Sequence, residues 1–566
     1  MKLDPTQTRR DYWLLMLLAL LVLGSGLGLR DPWPADEPRF ALVAKQMWES
    51  GQWLIPFRGE DPYPDKPPLF MWLQLACYAL FRSWRVAFLL PSLLASIGTL
   101  ALVYDLGRRL WSRRAAWWGT LLLLFCIQFT YQAKRAQIDP TLVFWVTLSM
   151  YGFLRHLLLG PAWGWYLIGG LFAGIGVITK GVGLISVLVL LPYLWARWRG
   201  WNGLAEQPRG GWRWALVIPA MLAPILAWLL PLWRATYGSS DPQLIGYANN
   251  LLFKQTVKRA TDPWHHIKPP WYFLGVMLTW VPLNLTWPWV IPGWIRRLRR
   301  RADARIGLPL CWALLVVGLF SLSPGKREVY ILPTLPMFAL ASMPMLAALV
   351  RRREPNWMGF VIALGLSVAL LIGGLAAVFG EPGYETKQEA LRWLDPDSDQ
   401  VWWLLSAAGG IGLFGALWAR PRRGLIGLCA ALLPLWLLVL GWWGYPLLNG
   451  SQSATSVMIK AREVAGEQTV IGLAGWREQM LLQAQGPIRI WGFRTVEQAQ
   501  MGPAFAWLRE DPDHHALFLT KNLTRDCVDR DSATRLGESG RVTWYLARAS
   551  DLKADCPALE SEATAE

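Results

Sequence analysis

Six short stretches of this chain place charged residues beside apolar runs, and their types suit chemistry on a phosphorylated substrate. "ADEPRFALVAKQM" (Ala35 to Met47) carries Asp36, Glu37 and Arg39, and "YPDKPPLFMW" (Tyr63 to Trp72) carries Asp65 and Lys66. "QIDPTL" supplies Asp139, "ITKG" Lys180, "WHHIKPP" His265 and His266, and "SPGKREVYILP" Lys326 and Arg327. Lysines and arginines at helix ends suit a phosphate held at the lipid headgroup level. Carboxylates suit orienting or deprotonating a nucleophile. Paired imidazoles with a carboxylate are candidate ligands for a divalent metal, Zn or Mg/Mn. Any one of these charges also reads as a snorkelling or topology-setting group. Six clusters on one face point instead to a shared water-filled cavity.

Whether they share a face depends on the elements that carry them. The chain has 566 residues, 54% of them apolar, and apolar runs of 16 to 22 residues recur almost to Gly444, which marks a polytopic α-helical membrane protein. The pattern predicts about thirteen spans, near 12–29, 84–104, 115–132, 140–158, 164–179, 181–195, 214–236, 271–292, 308–322, 330–349, 357–378, 401–418 and 424–443. Leu69–Leu80 follows two prolines and is too short to span, so it is expected to be interfacial or re-entrant. One set of connections between the spans holds 23 Lys and Arg against 6 Asp and Glu, whereas the opposite set holds 17 of each. Basic excess in short loops marks the cytoplasm. The N-terminus is therefore expected inside. The first loop (30–83), every cluster named above and the tail are expected outside. The net charge of +17 sits in these short loops, a pattern of membrane orientation that argues against nucleic-acid binding.

The tail changes character. Residues 1–445 read as the transmembrane domain, and 446–566 as a small α/β domain outside the membrane. There the short apolar runs "TVIGLAG", "IRIWGF", "HALFLT" and "VTWYLAR" alternate with helix-like stretches such as "VEQAQMGPAFAWLRE". Cys527 and Cys556 are the two cysteines of this tail. In an oxidising compartment they are candidates to pair, with two free thiols as the alternative.

The motifs of common soluble enzymes are absent: there is no P-loop, G-x-S-x-G, H-E-x-x-H or dinucleotide fingerprint. An enzyme fed by nucleotides is expected to face the cytoplasm, so an outward-facing site calls for a donor already in the membrane. A polyprenyl-phosphate sugar fits, with lipid between helices, phosphate at the cations and sugar at the carboxylates.

The same residues carry a resemblance. "ADEPRFALVAKQMWESGQWLIPFRGEDPYPDKPPLFMWL" resembles the first outer loop of GT-C fold glycosyltransferases, most of all the bacterial lipid A 4-amino-4-deoxy-L-arabinose transferases. The likeness continues through "QIDPTL", "ITKG", "HHIKPPWYF" and "SPGKREVYILPTLPMFAL". It implies a GT-C type α-helical membrane protein of about thirteen helices with a periplasmic C-terminal α/β domain, in the bacterial inner membrane. It also implies inverting transfer of a sugar from undecaprenyl phosphate to lipid A or another envelope glycan, an activity associated with polymyxin resistance. Residue by residue, Asp36 and Asp139 match catalytic aspartates, and Arg39, Lys66, Lys180, Lys326 and Arg327 match the donor phosphate side. Asp65 with His265 or His266 matches a metal site. Asp65 stands where those enzymes carry Glu, and Phe40 where they often carry Tyr. Transfer to protein Ser/Thr or to core polysaccharide is the main rival within the class. A secondary transporter or a lipid flippase is the rival outside it, and would want charges deep in broken helices of pseudo-symmetric halves.

Overall fold

A computed structural model describes residues 5–207, 211–252, 266–380, 399–493, 495, 497–520, 522, 527–529, 531–540 and 542–553. Among them, eight helices are long and apolar enough to cross a membrane. These are Trp84–Leu110, Ile138–Leu159, Trp212–Tyr237, Ala304–Leu322, Glu328–Leu349, Arg353–Phe379, Gln400–Ala419 and Pro421–Trp442. Each coincides with an expected span. The expected interfacial piece is the 13-residue helix Leu69–Phe81, capped by Arg82 in the left-handed region.

The remaining expected spans are shorter or interrupted, for local reasons. The first helix, Pro5–Gly24, stops before a turn in which Gly26 and Gly28 take positive φ, so it ends short of the expected residue 29. The weakly separated pair 164–179 and 181–195 is real. Trp163–Lys180 turns back through Gly181 into Gly183–Val189, and a Cβ on Gly183 would lie 2.1 Å from the backbone of Gly176. Only glycine permits that approach.

Two expected spans are broken instead of continuous. Residues 115–132 form Arg113–Leu124 and Ile127–Ala133, and residues 271–292 form Tyr272–Leu278, Asn284–Thr286 and the start of Trp287–Arg301. The two breaks meet. The Ile127 N–H donates to the Val281 carbonyl at 2.9 Å, and the Trp280 indole N–H donates to Gln128 Oε1. Pro282, lacking an N–H, explains the second break locally. The first exists because its freed backbone group is satisfied from the second, as non-helical backbone among apolar helices requires.

The tail is the expected α/β unit. Strands β1 (Phe57–Arg58) and β2 (Asp61–Pro62) pair antiparallel within the first loop, and strands β3 (Val470–Leu473), β4 (Ile488–Ile490), β5 (His515–Thr520), β6 (Thr534–Ser539) and β7 (Val542–Ala547) form the sheet of the tail in the order β4-β3-β5-β7-β6. β3 runs parallel to β4 and β5; β7 runs antiparallel to β5 and β6. Strand alternation divides its faces. Leu517 and Leu519 meet Met501, Phe505 and Leu508 of the helix Glu497–Glu510, while Ala516 and Phe518 face Val457, Met458 and Met480. This second cluster continues into Ala41 and Leu42 of the first loop and Phe88 and Ala136 beyond it, so the tail shares a core with the membrane part. Cys527 is disulfide-bonded. Its expected partner Cys556 lies outside the described residues.

One buried ion pair fixes the first loop. Arg30 Nη1 and Nη2 donate to the two oxygens of Glu37 at 2.5 and 2.8 Å, and both side chains are almost wholly buried. The backbone N–H groups of Trp33 and Ala136 complete the Glu37 carboxylate at 2.9 and 3.0 Å. Removing one partner of a buried pair strands the other charge and costs about 3–5 kcal/mol. Glu37→Gln is therefore expected to lower Tm sharply, or to abolish accumulation of folded protein. Asp36→Asn, one residue away but only partly buried and able to keep hydrogen bonds to its neighbours, should lower Tm far less. Thermal unfolding of both variants in detergent checks the contrast.

Candidate active site

Asp36 sits at the N-cap of the helix Glu37–Ser50, which Pro38 opens and Gly51 closes in the left-handed conformation. The Arg30–Glu37 pair anchors this helix start, so the adjacent Asp36 carboxylate is directed across to other elements. Its Oδ2 accepts from Arg327 Nη2 at 3.3 Å and from Gln137 Nε2 at 3.4 Å, and its Oδ1 lies 3.5 Å from Arg39 Nη1. Burial alone would raise the Asp36 carboxyl. The charges of Arg327, Arg39 and Arg135 outweigh it and hold the group below the ordinary carboxylate range.

Asp139 lies in the first turn of Ile138–Leu159, where the helix dipole favours a carboxylate. Lys180 ends Trp163–Lys180 and meets Asp139 at 2.5 Å, with its ammonium 5.2 Å from the centre of the Tyr330 ring. Arg327 feels both Asp36 and Asp139, so the two carboxylates belong to one electrostatic cluster. Thus five expected residues, Asp36, Arg39, Asp139, Lys180 and Arg327, come together from four separate parts of the chain.

The others take different positions. Lys66 Nζ donates to the Asp65 carbonyl at 2.9 Å, and the Asp65 carboxylate lies 4.0 Å from Arg58. Lys326 is buried, and its ammonium donates to the Lys268 carbonyl at 2.9 Å. Its backbone N–H donates to the His266 carbonyl, so the segment 323–326 pairs with 266–268. His266 is exposed at positive φ, and His265 lies outside the described residues. Among the described residues no three His, Cys, Asp or Glu side chains gather as metal ligands, and Asp65 is turned to a guanidinium. Phe40 is buried edge-on against Phe70 with ring centres 5.4 Å apart, a packing role.

Several residues of this site gave no signal in the sequence. Glu478, from the tail, accepts from Arg39 Nε at 2.9 Å and from Arg58 Nη1 at 3.5 Å. Arg58 also lies 3.7 Å from the Phe493 ring centre, so the tail holds two guanidiniums of the first loop. The Tyr63 hydroxyl is buried beside Arg58 without a hydrogen-bond partner. Pairs formed across more than 400 positions leave no periodic trace. Only the composition of "PFRGEDPYPDKPP" marks its half of these contacts.

The arrangement sets carboxylates and cations side by side at the ends of membrane helices, beneath a wall formed by the tail. It can hold a phosphate among Arg327, Lys180 and Arg39 and present Asp36 or Asp139 to a neighbouring group. Comparisons with known proteins identify the family. The family profile described as dolichyl-phosphate-mannose-protein mannosyltransferase matches residues 25–236. The undecaprenyl phosphate-alpha-4-amino-4-deoxy-L-arabinose arabinosyl transferase 1 of Pseudomonas fluorescens strain Pf-5 is 29% identical over 443 residues, 74% of this chain and 76% of that one. The arabinosyl transferase 2 of P. fluorescens strain Pf0-1 is 30% identical over 394 residues, 67% of each chain. The crystal structure of ArnT from Cupriavidus metallidurans bound to undecaprenyl phosphate has the same fold, with a TM-score of 0.71 over 96% of this chain and 98% of that one at 18% identity. By this likeness over two thirds of both chains, the protein belongs to the undecaprenyl phosphate-aminoarabinose arabinosyl transferases, a family of membrane glycosyltransferases.

Proposed function

We propose that this protein transfers 4-amino-4-deoxy-L-arabinose from undecaprenyl phosphate to a phosphate of lipid A. On this reading the active site and tail are periplasmic and the N-terminus cytoplasmic. The observation that carries the reading is the cluster of Asp36 and Asp139 with Arg39, Arg327 and Lys180 at the helix ends. The names of the relatives supply the sugar and the carrier, and the basic excess of the opposite loops supports the orientation.

In the proposed reaction an acceptor oxygen attacks the anomeric carbon from the face opposite the carrier. The C–O bond to undecaprenyl phosphate breaks with its electron pair leaving on the phosphate oxygen, and the configuration inverts. The leaving group is already a stabilised anion, so no strong acid is required. Arg327 and Lys180, with Lys66 at the loop edge, meet the charge growing on that oxygen and so favour the transition state over the bound donor. Asp36, held below the usual carboxylate range, is a weak base. It suits accepting a hydrogen bond from a protonated acceptor oxygen, aiming it at the anomeric carbon and taking up its proton as the new C–O bond forms.

A second reading, transfer to a protein hydroxyl, is favoured by the description of the family profile over residues 25–236. Mass spectrometry of lipid A from cells with and without the protein separates the two. An aminoarabinose increment that depends on the protein is expected. Unchanged lipid A in cells shown to make the donor would overturn the lipid A reading. In the same cells Asp36→Asn should lower transfer by on the order of 10²-fold or more, with folded protein retained. Transfer at the wild-type rate would remove Asp36 from the reaction.

The depressed Asp36 carboxyl also sets a pH dependence. Its ion pairs stabilise the fold above the unfolded carboxyl's value, about 3.9, and are lost only as pH falls through the lower folded value. Wild-type transfer should therefore hold steady from pH 7 down to about 5. Arg327→Gln removes the guanidinium that lowers Asp36, so its acid limb, normalised to its own plateau, should move to higher pH. Superimposable profiles would show that Asp36 does not govern the limb.

A further inference from the structure

A cavity lies at the end of Ile138–Leu159 remote from Asp139. It measures about 660 Å³ and is lined by Arg9 and Tyr12 of Pro5–Gly24, by Leu102, Tyr104 and Arg108 of Trp84–Leu110, and by Trp165. Tyr151 of Ile138–Leu159 also lines it, 12 residues along the helix that begins beside Asp139, which puts it roughly 18 Å from the candidate active site. It lies on the face of the basic connections, away from the Asp36 cluster.

The charge balance there is uneven. Asp105 is the carboxylate of this cavity, and its oxygens are taken by Arg108, by Arg109 at 2.6 Å and by the Tyr151 hydroxyl at 2.5 Å. Arg155 donates to the same Tyr151 hydroxyl at 3.2 Å and lies 5.0 Å from the Trp165 ring centre. Among the described residues no carboxylate pairs with Arg9 or Arg155, so positive charge is left over at the cavity. An independent feature points the same way. Tyr104 lines the cavity and is fully buried, yet its hydroxyl has no hydrogen-bond partner. A buried donor without a partner is costly, so such a group calls for an acceptor.

We propose that this cavity binds the phosphate headgroup of an anionic phospholipid in the leaflet opposite the active site. Arg9 and Arg108 face the phosphate, the Tyr104 hydroxyl donates to a headgroup oxygen, and Tyr12 and Trp165 sit at headgroup depth. Ala101 and Leu102 and the exposed apolar face of the first helix, with Trp13, Leu14 and Leu17, take the start of the acyl chains. Cation and apolar wall in series match an amphiphile better than a free anion, which would leave the apolar wall in water.

The test uses the full chain purified in detergent, with phosphatidylglycerol as the probe and phosphatidylethanolamine as the zwitterionic control. Native mass spectrometry should show phosphatidylglycerol retained over phosphatidylethanolamine, and Tm should rise with phosphatidylglycerol, because a ligand bound only by the folded state stabilises it. Arg9→Gln should weaken retention about fivefold, and Arg9→Gln with Tyr104→Phe further, without loss of basal transfer. Neither variant removes a side-chain contact of the Asp105 network, so both are expected to fold. Equal retention of the two lipids, or equal retention by wild type and the double variant, would overturn the site. Displacement of the lipid by millimolar inorganic phosphate would overturn the lipid as its occupant.

Discussion

The buried pair of Arg30 and Glu37 is the constraint on which the geometry of the Asp36 site depends. Moving two charges out of water is costly, and the cost is offset when the pair is well aligned and its other lone pairs and protons are largely bonded; of this pair, Arg30 Nε is the nitrogen left buried without a partner. Here the carboxylate receives two bonds from Arg30 and two from backbone N–H groups, while Arg30 also donates to the carbonyls of Asp31 and Lys134. The guanidinium is enclosed by Trp33 and Tyr445, each 4.7 Å from ring centre, and by Phe88. One interaction therefore joins the first loop, the 133–139 connection, the start of Trp84–Leu110 and the helix Gly444–Gln452. Asp36, Asp139 and Arg39 are all within a few residues of it in the chain. Their relative positions follow from the lock more than from contacts of their own.

The cluster so positioned has few bare charges. Arg327 and Arg39 already face Asp36, Lys180 faces Asp139, and Arg39 and Arg58 share Glu478. On the proposed function, a donor phosphate shares these cations with carboxylates instead of meeting them free. Sharing weakens binding of the ground state, while charge growing on the leaving oxygen still finds guanidinium and ammonium hydrogens within reach. Binding energy held back in this way is available where the bond breaks. The half-buried setting makes each such contact stronger than it would be in water.

Much of this was legible in the sequence, and the parts that were not share a physical cause. Eight spans, the interfacial helix at Leu69–Phe81 and strands β3, β4, β5 and β7 follow from local apolar period and length. β6 was missed because "TRLGES" buries only part of itself and shows no apolar alternation. The break after Leu124 was missed because its hydrogen-bond partner, Val281, is remote in the chain. The break near Pro282 was marked by proline and still read as continuous, since the apolar content on both sides outweighed it. In the site, residue type identified the five members of the central cluster. It did not distinguish Lys326, which is a buried tie to the Lys268 carbonyl, from lysines open to the cavity, because an ammonium satisfied by backbone looks the same in sequence as one awaiting a phosphate.

The boundary at 445/446 shows what a composition change does and does not mean. Apolar runs shorten there because the chain leaves the bilayer, and a reader of periodicity sees a separate α/β domain. Yet the face of the sheet carrying Ile471 and Phe518 belongs to the same apolar cluster as Ala41, Leu42, Phe88 and Ala136. Glu478 reaches from the tail to two arginines of the first loop. A core shared in this way cannot be undone at one side without exposing apolar surface on the other. The tail is thus a wall of the site: it holds Arg39 and Arg58 from above while the Arg30–Glu37 lock fixes the loop from below. Between those two restraints the carboxylate of Asp36 has little freedom to turn, and preorganised charges of that kind need no rearrangement when a substrate arrives.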